Sequence, residues 1–122
     1  MNHRSRLLAR RVLLHLTFLV APALALAHHG WSSYDAERTL TLDGVIRSST
    51  YEQPHGTVEL EVEKKTWHVV LAPPTRMKSR GLEPDMLKPG TSAKVVGYPH
   101  RKNERELRAE RITVGKKTVE LR

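Results

Sequence analysis

The chain has 122 residues, with 21 Lys and Arg against 13 Asp and Glu, and it contains no cysteine. The absence of cysteine excludes disulfide bonds and thiolate metal sites, so a metal could be held only by histidine, carboxylate or backbone nitrogen. The sequence has no Gly-rich phosphate loop and no GxSxG or HExxH motif, which disfavours the commonest nucleotide-dependent and hydrolytic enzymes.

The first 27 residues have the composition of a secretory signal peptide. Their basic start contains four arginines and no acid: Arg4, Arg6, Arg10 and Arg11. An apolar run over residues 12–26 follows, and Ala25 and Ala27 are the small residues that signal peptidase requires. The run is shorter than the ~20 residues of a membrane span and contains Pro22, so a membrane anchor is the weaker alternative. We therefore expect a signal-peptide helix that is cleaved after Ala27 on export to the periplasm.

Cleavage at this position would leave one domain, residues 28–122, and would lower the formal net charge from +8 to +4. The remaining Lys and Arg are scattered along the chain and interleaved with Glu. That distribution is typical of solvated surfaces and differs from the basic stripe of a nucleic-acid-binding protein. The mature chain is thus predicted to use neither nucleic acid nor membrane as a partner.

Period-two alternation of apolar and polar residues dominates the mature chain and predicts a β protein. The clearest strand covers residues 57–63, where Val and Leu alternate with Glu. A long strand over residues 38–48 precedes it, and Gly44 is expected to form a bulge or bend there. A hairpin leads to a third strand over residues 66–71, with Trp67 facing inward.

The second half of the chain adds one short helix and further strands. Residues 75–81 are predicted to be a helix that is capped by Thr75 and ended by Gly81 in a left-handed conformation. Three later segments have strand patterns: residues 91–98, 107–114 and 118–121. This order predicts an all-β fold, a small OB-like barrel of five to six strands with one short helix, and a compact β-sandwich is the alternative.

Five histidines follow the predicted cleavage site: His28, His29, His55, His68 and His100. Once terminal, His28 could bind a metal through its α-amine and its ring together, and a further imidazole would give a planar nitrogen set that suits Cu(II). The α-amine has an ordinary pKa of about 7.7–8.0 and is easier to deprotonate than a lysine. His29 offers a competing mode through the same amine and the intervening amide. The alternative interpretation is a frayed, solvated terminus.

The Gln53-Pro54-His55-Gly56 turn supplies the natural partner for these residues. Pro54 restrains the backbone before His55 and Gly56 permits a tight turn after it, so the imidazole could be held in place. A histidine that simply faces water is the alternative. We predict copper as the cofactor and His28, His29 and His55 as its ligands.

Five other side chains are candidates for a supporting role near the metal or for ligand contact: Trp31, Tyr51, Tyr98, His68 and His100. Trp31 follows the paired histidines closely and is expected to pack the first segment of the domain onto the barrel. Tyr51 and Tyr98 lie near the histidine-containing loops. His68 is on the face of its strand opposite Trp67 and is expected either to be exposed or to cap a strand neighbour.

Several segments resemble a known family: His28-His29-Gly30-Trp31, residues 39–46, Gln53-Pro54-His55, Trp67, Arg80-Gly81-Leu82, Leu87-Lys88-Pro89-Gly90 and Val96-Gly97-Tyr98. Over the whole mature chain they are similar to a family of small exported bacterial proteins, domain-of-unknown-function family 6152. In that family the turn usually reads Asn-Pro-His, so Gln53 departs from the pattern while His55 matches it. The resemblance implies a periplasmic location and a small OB-like barrel, and it brings no activity.

The sequence therefore predicts a periplasmic binding protein that captures or delivers copper and is not an enzyme. A periplasmic protein could be its partner. The first alternative is a module that binds a small molecule or a partner chain, without metal, through the surface around Tyr51, Tyr98 and Arg101. The second is an oxidative copper enzyme that uses the same terminal histidine with an open coordination position.

Overall fold

The computed structural model describes residues 30–122, so the predicted signal peptide, His28 and His29 lie outside the described residues. The described chain forms these elements in order: β1 Leu40–Thr50, β2 Thr57–Val62, β3 Lys65–Val70, α1 Pro74–Ser79, a 3-10 helix Pro84–Leu87, β4 Ser92–Pro99, β5 Glu106–Val114 and β6 Lys117–Glu120. Within residues 30–122, no helix is both long and apolar enough to cross a membrane.

The strands form one sheet in the order β3-β2-β1-β4-β5-β6, in which all neighbours are antiparallel. The first part of β5 also pairs in parallel with β3, through residues such as Val70 and Arg108. This pairing closes β1, β2, β3, β5 and β4 into a barrel, and β6 extends the sheet from the second part of β5. The closed barrel confirms the predicted OB-like fold, and the β-sandwich alternative is wrong.

The interior follows the predicted alternation. Residues from all five barrel strands are fully buried, among them Ile46, Leu60, Val69, Val95 and Leu107. The connection between β3 and β4 adds three further side chains with no exposure: Met77, Leu82 and Leu87. Burial of this apolar surface is the main stabilising contribution to the barrel.

Two local expectations are wrong in detail. Gly44 does not form the bulge of β1, because the register shifts between Ile46 and Ser48. Gly44 is needed for a close approach instead, since a Cβ there would lie 2.3 Å from the carbonyl oxygen of Glu61 on β2. Thr75 does not cap α1; the helix begins at Pro74 without a side-chain cap, as proline at the first helical position allows.

The turns agree better with the sequence. Gly81 has a φ of +84°, the left-handed conformation predicted after α1. Glu63 and Lys64 between β2 and β3 both have positive φ, which is the geometry of a type I′ hairpin turn. One peptide bond of the described chain, Gln53–Pro54 in the loop between β1 and β2, is cis.

Candidate binding site at the His55 turn

The loop between β1 and β2, residues 51–56, is fastened to the end of β3. The backbone N–H of Gly56 donates a hydrogen bond to the carbonyl of Ala72 at 2.9 Å, and the N–H of Leu71 donates to the carbonyl of Gly56 at 2.8 Å. These two bonds fix the residue that follows His55. The imidazole therefore extends from an anchored part of the loop.

The ring of His55 is half-buried and makes no hydrogen bond to any described residue. Burial lowers its pKa below the ordinary value, and the positive charges of Arg108 and Arg76 lower the pKa further. The imidazole is consequently neutral at neutral pH. A neutral ring with both nitrogens unengaged is the form that can bind a metal ion.

Arg108 on β5 is the most unusual charged residue of the described chain. It is only 7% exposed, and its Nε is sealed from solvent without a hydrogen-bond partner. Its guanidinium carbon lies 4.4 Å from the ring centroid of Trp31. A buried guanidinium normally has a carboxylate or several carbonyl oxygens as partners.

The burial of Arg108 comes from the segment that precedes the barrel. In β5, Arg108 lies between the buried residues Leu107 and Ala109, on the outer face, where alternation would place a solvated side chain. Trp31 covers this face. Its ring contacts the guanidinium groups of both Arg108 and Arg122, the latter at 5.0 Å, and meets Tyr98 edge-on.

The segment containing Trp31 is fastened to the barrel by backbone hydrogen bonds. Asp35 N–H donates to the carbonyl of Pro99, and Arg101 N–H donates to the carbonyl of Ser33, both at 2.8 Å. The predicted packing of Trp31 onto the barrel is therefore observed. Trp31 contacts Arg108, which lies opposite Val70 of β3. Val70 lies opposite Thr57, two residues after His55, so this segment and the His55 turn lie near the same end of β3.

His100 has a structural role in the loop between β4 and β5. Its Nδ1 accepts hydrogen bonds from the backbone N–H groups of Lys102 at 3.1 Å and Asn103 at 2.9 Å. The ring proton is consequently on Nε2, which lies 3.7 Å from a carboxylate oxygen of Glu106. With Nδ1 occupied, His100 caps this loop, and it does not share a site with His55 in the described chain.

Tyr34 completes the cluster around Glu106. Its hydroxyl donates to the Glu106 carboxylate at 2.6 Å, and its ring packs edge-on against His100 at 5.1 Å. Burial, followed by this hydrogen bond, raises the pKa of Tyr34 well above its ordinary value. Burial alone would raise the pKa of Glu106, but hydrogen bonds from Tyr34 and Asn103 outweigh it and lower that pKa. The carboxylate of Glu106 is therefore already engaged.

His68 is partly exposed and pairs with a neighbouring strand. Its Nδ1 lies 2.5 Å from a carboxylate oxygen of Glu59, its directly opposite neighbour on β2, and its side chain is 42% exposed. Exposed pairs of this kind contribute at most about 1 kcal/mol to stability. The pair makes His68 a useful reference position for metal-binding experiments.

Tyr51 and Tyr98 use their hydroxyl groups to hold the fold together. The hydroxyl of Tyr51 donates to the carbonyl of Leu82 at 2.6 Å, which ties β1 to the chain after α1. The hydroxyl of Tyr98 donates to the carboxylate of Glu110. The polar ends of both aromatic residues thus face structural partners, and their predicted role near a metal stays a prediction.

Replacing Tyr51 with phenylalanine should lower the free energy of unfolding by about 1–2 kcal/mol, because the carbonyl of Leu82 loses its hydrogen bond. Urea denaturation measures this loss. Copper affinity should stay unchanged; a large decrease would instead place the Tyr51 hydroxyl at the metal.

A surface depression lies at the loop between β4 and β5, with a volume of about 400 Å³. Trp67 and Leu40 form its apolar part. Five cationic residues also line it: Arg38, Lys65, Arg101, Lys102 and Arg105. The loops after β1 and after β4 are the two that OB folds use to bind ligands, so this groove is a second candidate surface.

The described residues contain no group of three His, Asp or Glu side chains placed to hold a metal ion. Of the predicted ligands, His55 is described, whereas His28 and His29 lie ahead of the first described residue. The cationic surroundings of His55 were not predicted from the sequence, because scattered arginines such as Arg76 and Arg108 are expected to be solvated. The one feature of the sequence that could have indicated the burial of Arg108 is its position between two apolar residues. That position does not reveal what covers the outer face of β5.

The described chain is a small closed OB-like barrel, in which the half-buried His55 of the loop after β1 is subject to the positive charges of Arg76 and Arg108. The model of the family of unknown function DUF6152 matches residues 17–108, and the chain belongs to this family. No curated protein matches the sequence. The family carries no assigned activity.

Solved structures support the fold. The chain is similar to one from the S. pombe Stn1–Ten1 complex, with a TM-score of 0.52 and 16% sequence identity over 66% of this chain and 60% of that one. It is also similar to a chain from the complex of TiaS with an isoleucine tRNA and ATP, with a TM-score of 0.50 and 18% identity over 72% of this chain and 19% of that one. The chain thus spans less than two thirds of either protein chain, and at these identities the likeness concerns the fold alone.

Proposed function

We propose that the protein is a periplasmic binding protein that holds a copper ion through His28, after cleavage at Ala27, together with His55. His29 is an alternative ligand through the amide between it and the terminus. The observation that carries the proposal is the state of His55, whose half-buried, neutral imidazole has no hydrogen-bond partner among the described residues. The role is capture or delivery of the metal.

The position of Trp31 supports a meeting between the predicted terminus and His55. His28 precedes Trp31 by three residues, so the two Cα atoms can be at most about 11 Å apart. Trp31 contacts Arg108, and Arg108 acts electrostatically on His55. This distance would allow the terminal amine and ring to reach the side of the barrel where His55 has no hydrogen-bond partner among the described residues.

The surrounding charge has two opposite effects on such a site. Arg108 and Arg76 keep the imidazole of His55 deprotonated, which favours metal binding at neutral pH. The same charges repel a divalent cation. Copper is the metal best able to bind in spite of that repulsion, since Cu(II) forms the most stable nitrogen complexes in the divalent series.

Copper titration of the protein collected from the periplasm tests this function. His55→Ala should weaken Cu(II) binding by about 100-fold, or roughly 2.7 kcal/mol, because an imidazole ligand is lost. The matched control is His68→Ala, which removes an exposed histidine whose ring is paired with Glu59 and should leave the affinity unchanged. Intact mass before titration establishes whether the chain begins at His28. Equal affinities for the two variants and the parent protein would contradict the proposal.

A second candidate function, binding of a non-metal ligand or partner chain, is favoured by the groove at the loop between β4 and β5. The groove combines the Trp67 ring with five cationic side chains against two acidic ones. A ligand there would be anionic with an apolar part. Its binding would persist after metal chelation and would be weakened by Arg101→Ala or Lys65→Ala, neither of which lies at the copper site.

A further inference from the structure

The unpaired guanidinium of Arg108 indicates a site that the copper proposal does not use. Among the described residues, no hydrogen-bond acceptor is found for its nitrogens, although the side chain is only 7% exposed. The observed contact that stabilises the buried charge is the one with the face of the Trp31 ring. A ring face attracts a cation but accepts none of the five N–H groups in the guanidinium plane.

The nearest acidic residues on β5 are already hydrogen-bonded to other residues. Glu106 accepts hydrogen bonds from Tyr34 and Asn103, and Glu110 accepts one from Tyr98 and pairs with Arg111 at 3.5 Å. Neither carboxylate contacts Arg108.

The groups that do surround Arg108 are cationic or neutral. The guanidinium of Arg122 also lies over the Trp31 ring, at 5.0 Å, and the charge of Arg76 acts on both Arg108 and His55. One terminal nitrogen of Arg76 donates a hydrogen bond to the carbonyl of Leu121 at 3.1 Å. The region between Trp31 and the His55 turn thus contains several positively charged groups, and residues 30–122 supply no counterion for them.

We propose that this region is an anion site, in which a small oxyanion (phosphate, sulfate or a carboxylate) binds the guanidinium of Arg108 between Trp31 and the His55 turn. Trp31 occupies one face of the guanidinium, so the ligand approaches along the edge, where two parallel N–H groups match two oxygens of the anion. Nε is the sealed atom, and the two terminal nitrogens are the ones that the ligand reaches. The inference stands on the described residues and requires no metal.

Thermal unfolding of the full chain, treated with EDTA and then dialysed free of it, tests the site without copper. Inorganic phosphate, sulfate and acetate are titrated separately, with sodium chloride added to hold the ionic strength constant. We expect a saturable rise of the unfolding temperature for at least one oxyanion, since a ligand that binds only the folded state stabilises it. A parallel titration follows the fluorescence of Trp31 in a Trp67→Phe background, because Trp31 contacts Arg108 directly.

Two variants and one control make the result specific. Arg108→Met should abolish both responses, and Arg108→Lys, which keeps the charge but loses the planar fork, should weaken binding roughly tenfold. The control, Arg111→Met, removes an exposed arginine of the same strand that is paired with Glu120, and it should bind like the parent protein. Arg108→Lys keeps the test informative if the methionine variant fails to fold.

The outcomes separate this site from the copper proposal. Absence of a saturable response in the parent protein, or an equal response in Arg108→Lys and Arg111→Met, would overturn the anion site. Neither result bears on copper, which is absent from these samples. Conversely, loss of copper binding in His55→Ala says nothing about the oxyanion, because Arg108 remains in place.

Discussion

Copper binding should become independent of His55 when one glycine is inserted between Ala27 and His28. With the proposed native terminus, the amine and ring of His28 leave a coordination position that His55 fills. After the insertion His28 and His29 become the second and third residues. Cu(II) can then be enclosed by the amine, the intervening amides and one nearby imidazole, without any ligand from the barrel. The extended chain therefore binds copper in a local mode.

A double-mutant cycle measures this change. Four exported proteins are titrated with Cu(II): the parent, His55→Ala, the glycine-extended chain and the combination. The substitution should cost about 2.7 kcal/mol with the native terminus and nothing in the extended chain, so the coupling energy is about 2.7 kcal/mol. A coupling energy of zero would show that His28 and His55 bind copper separately or that only one of them binds it.

Among substitutions that add one methyl group to the barrel, Gly97→Ala should lower the free energy of unfolding the most. A Cβ at Gly97 would lie 2.1 Å from the carbonyl oxygen of Arg108 and 2.8 Å from its carbonyl carbon. Both atoms belong to the backbone of β5, which is held by β3, β4 and β6 and cannot move aside cheaply. We expect a loss of about 3 kcal/mol or more in the free energy of unfolding, or about 12 °C or more in Tm.

Gly90→Ala is the matched control for this substitution. Gly90 has a φ of +91° and no heavy atom within 4 Å of the added Cβ, so it tests backbone conformation without a collision. A left-handed residue costs about 1–2 kcal/mol. Urea denaturation of both variants should therefore rank Gly97→Ala as clearly worse. Similar losses would mean that β4 and β5 can separate locally to accept the methyl group.

Much of the barrel could be predicted from local pattern. The strict alternation in residues 57–63 identified β2 almost to the residue, because a strand with one face in the core needs period-two apolar residues. Gly81 was identified as a helix end because few other residues adopt a positive φ without strain. The role of Gly44 was missed, since a close approach to Glu61 depends on the register of a neighbouring strand.

The candidate site was predicted less completely than the fold. His55 was identified from its own neighbours, Pro54 and Gly56, which are adjacent in the chain. The cationic surroundings were not, because Arg108 is buried by Trp31, which lies 77 positions earlier in the sequence. The sequence predicted a strand over residues 107–114, with its arginines solvated, and a local pattern cannot reveal that another segment covers one of them.

By itself, the sequence determined the β character of the chain, the positions of its strands and turns, and the five histidines available after the predicted cleavage. These are local properties, fixed by backbone preferences and by the period of apolar residues. The tertiary structure decided which strands close the barrel, that His100 and Tyr51 serve structural partners, and that the charge of a guanidinium without a partner among residues 30–122 acts on His55. Such facts depend on contacts between residues far apart in the chain, and packing and electrostatics determine them only once the barrel has formed.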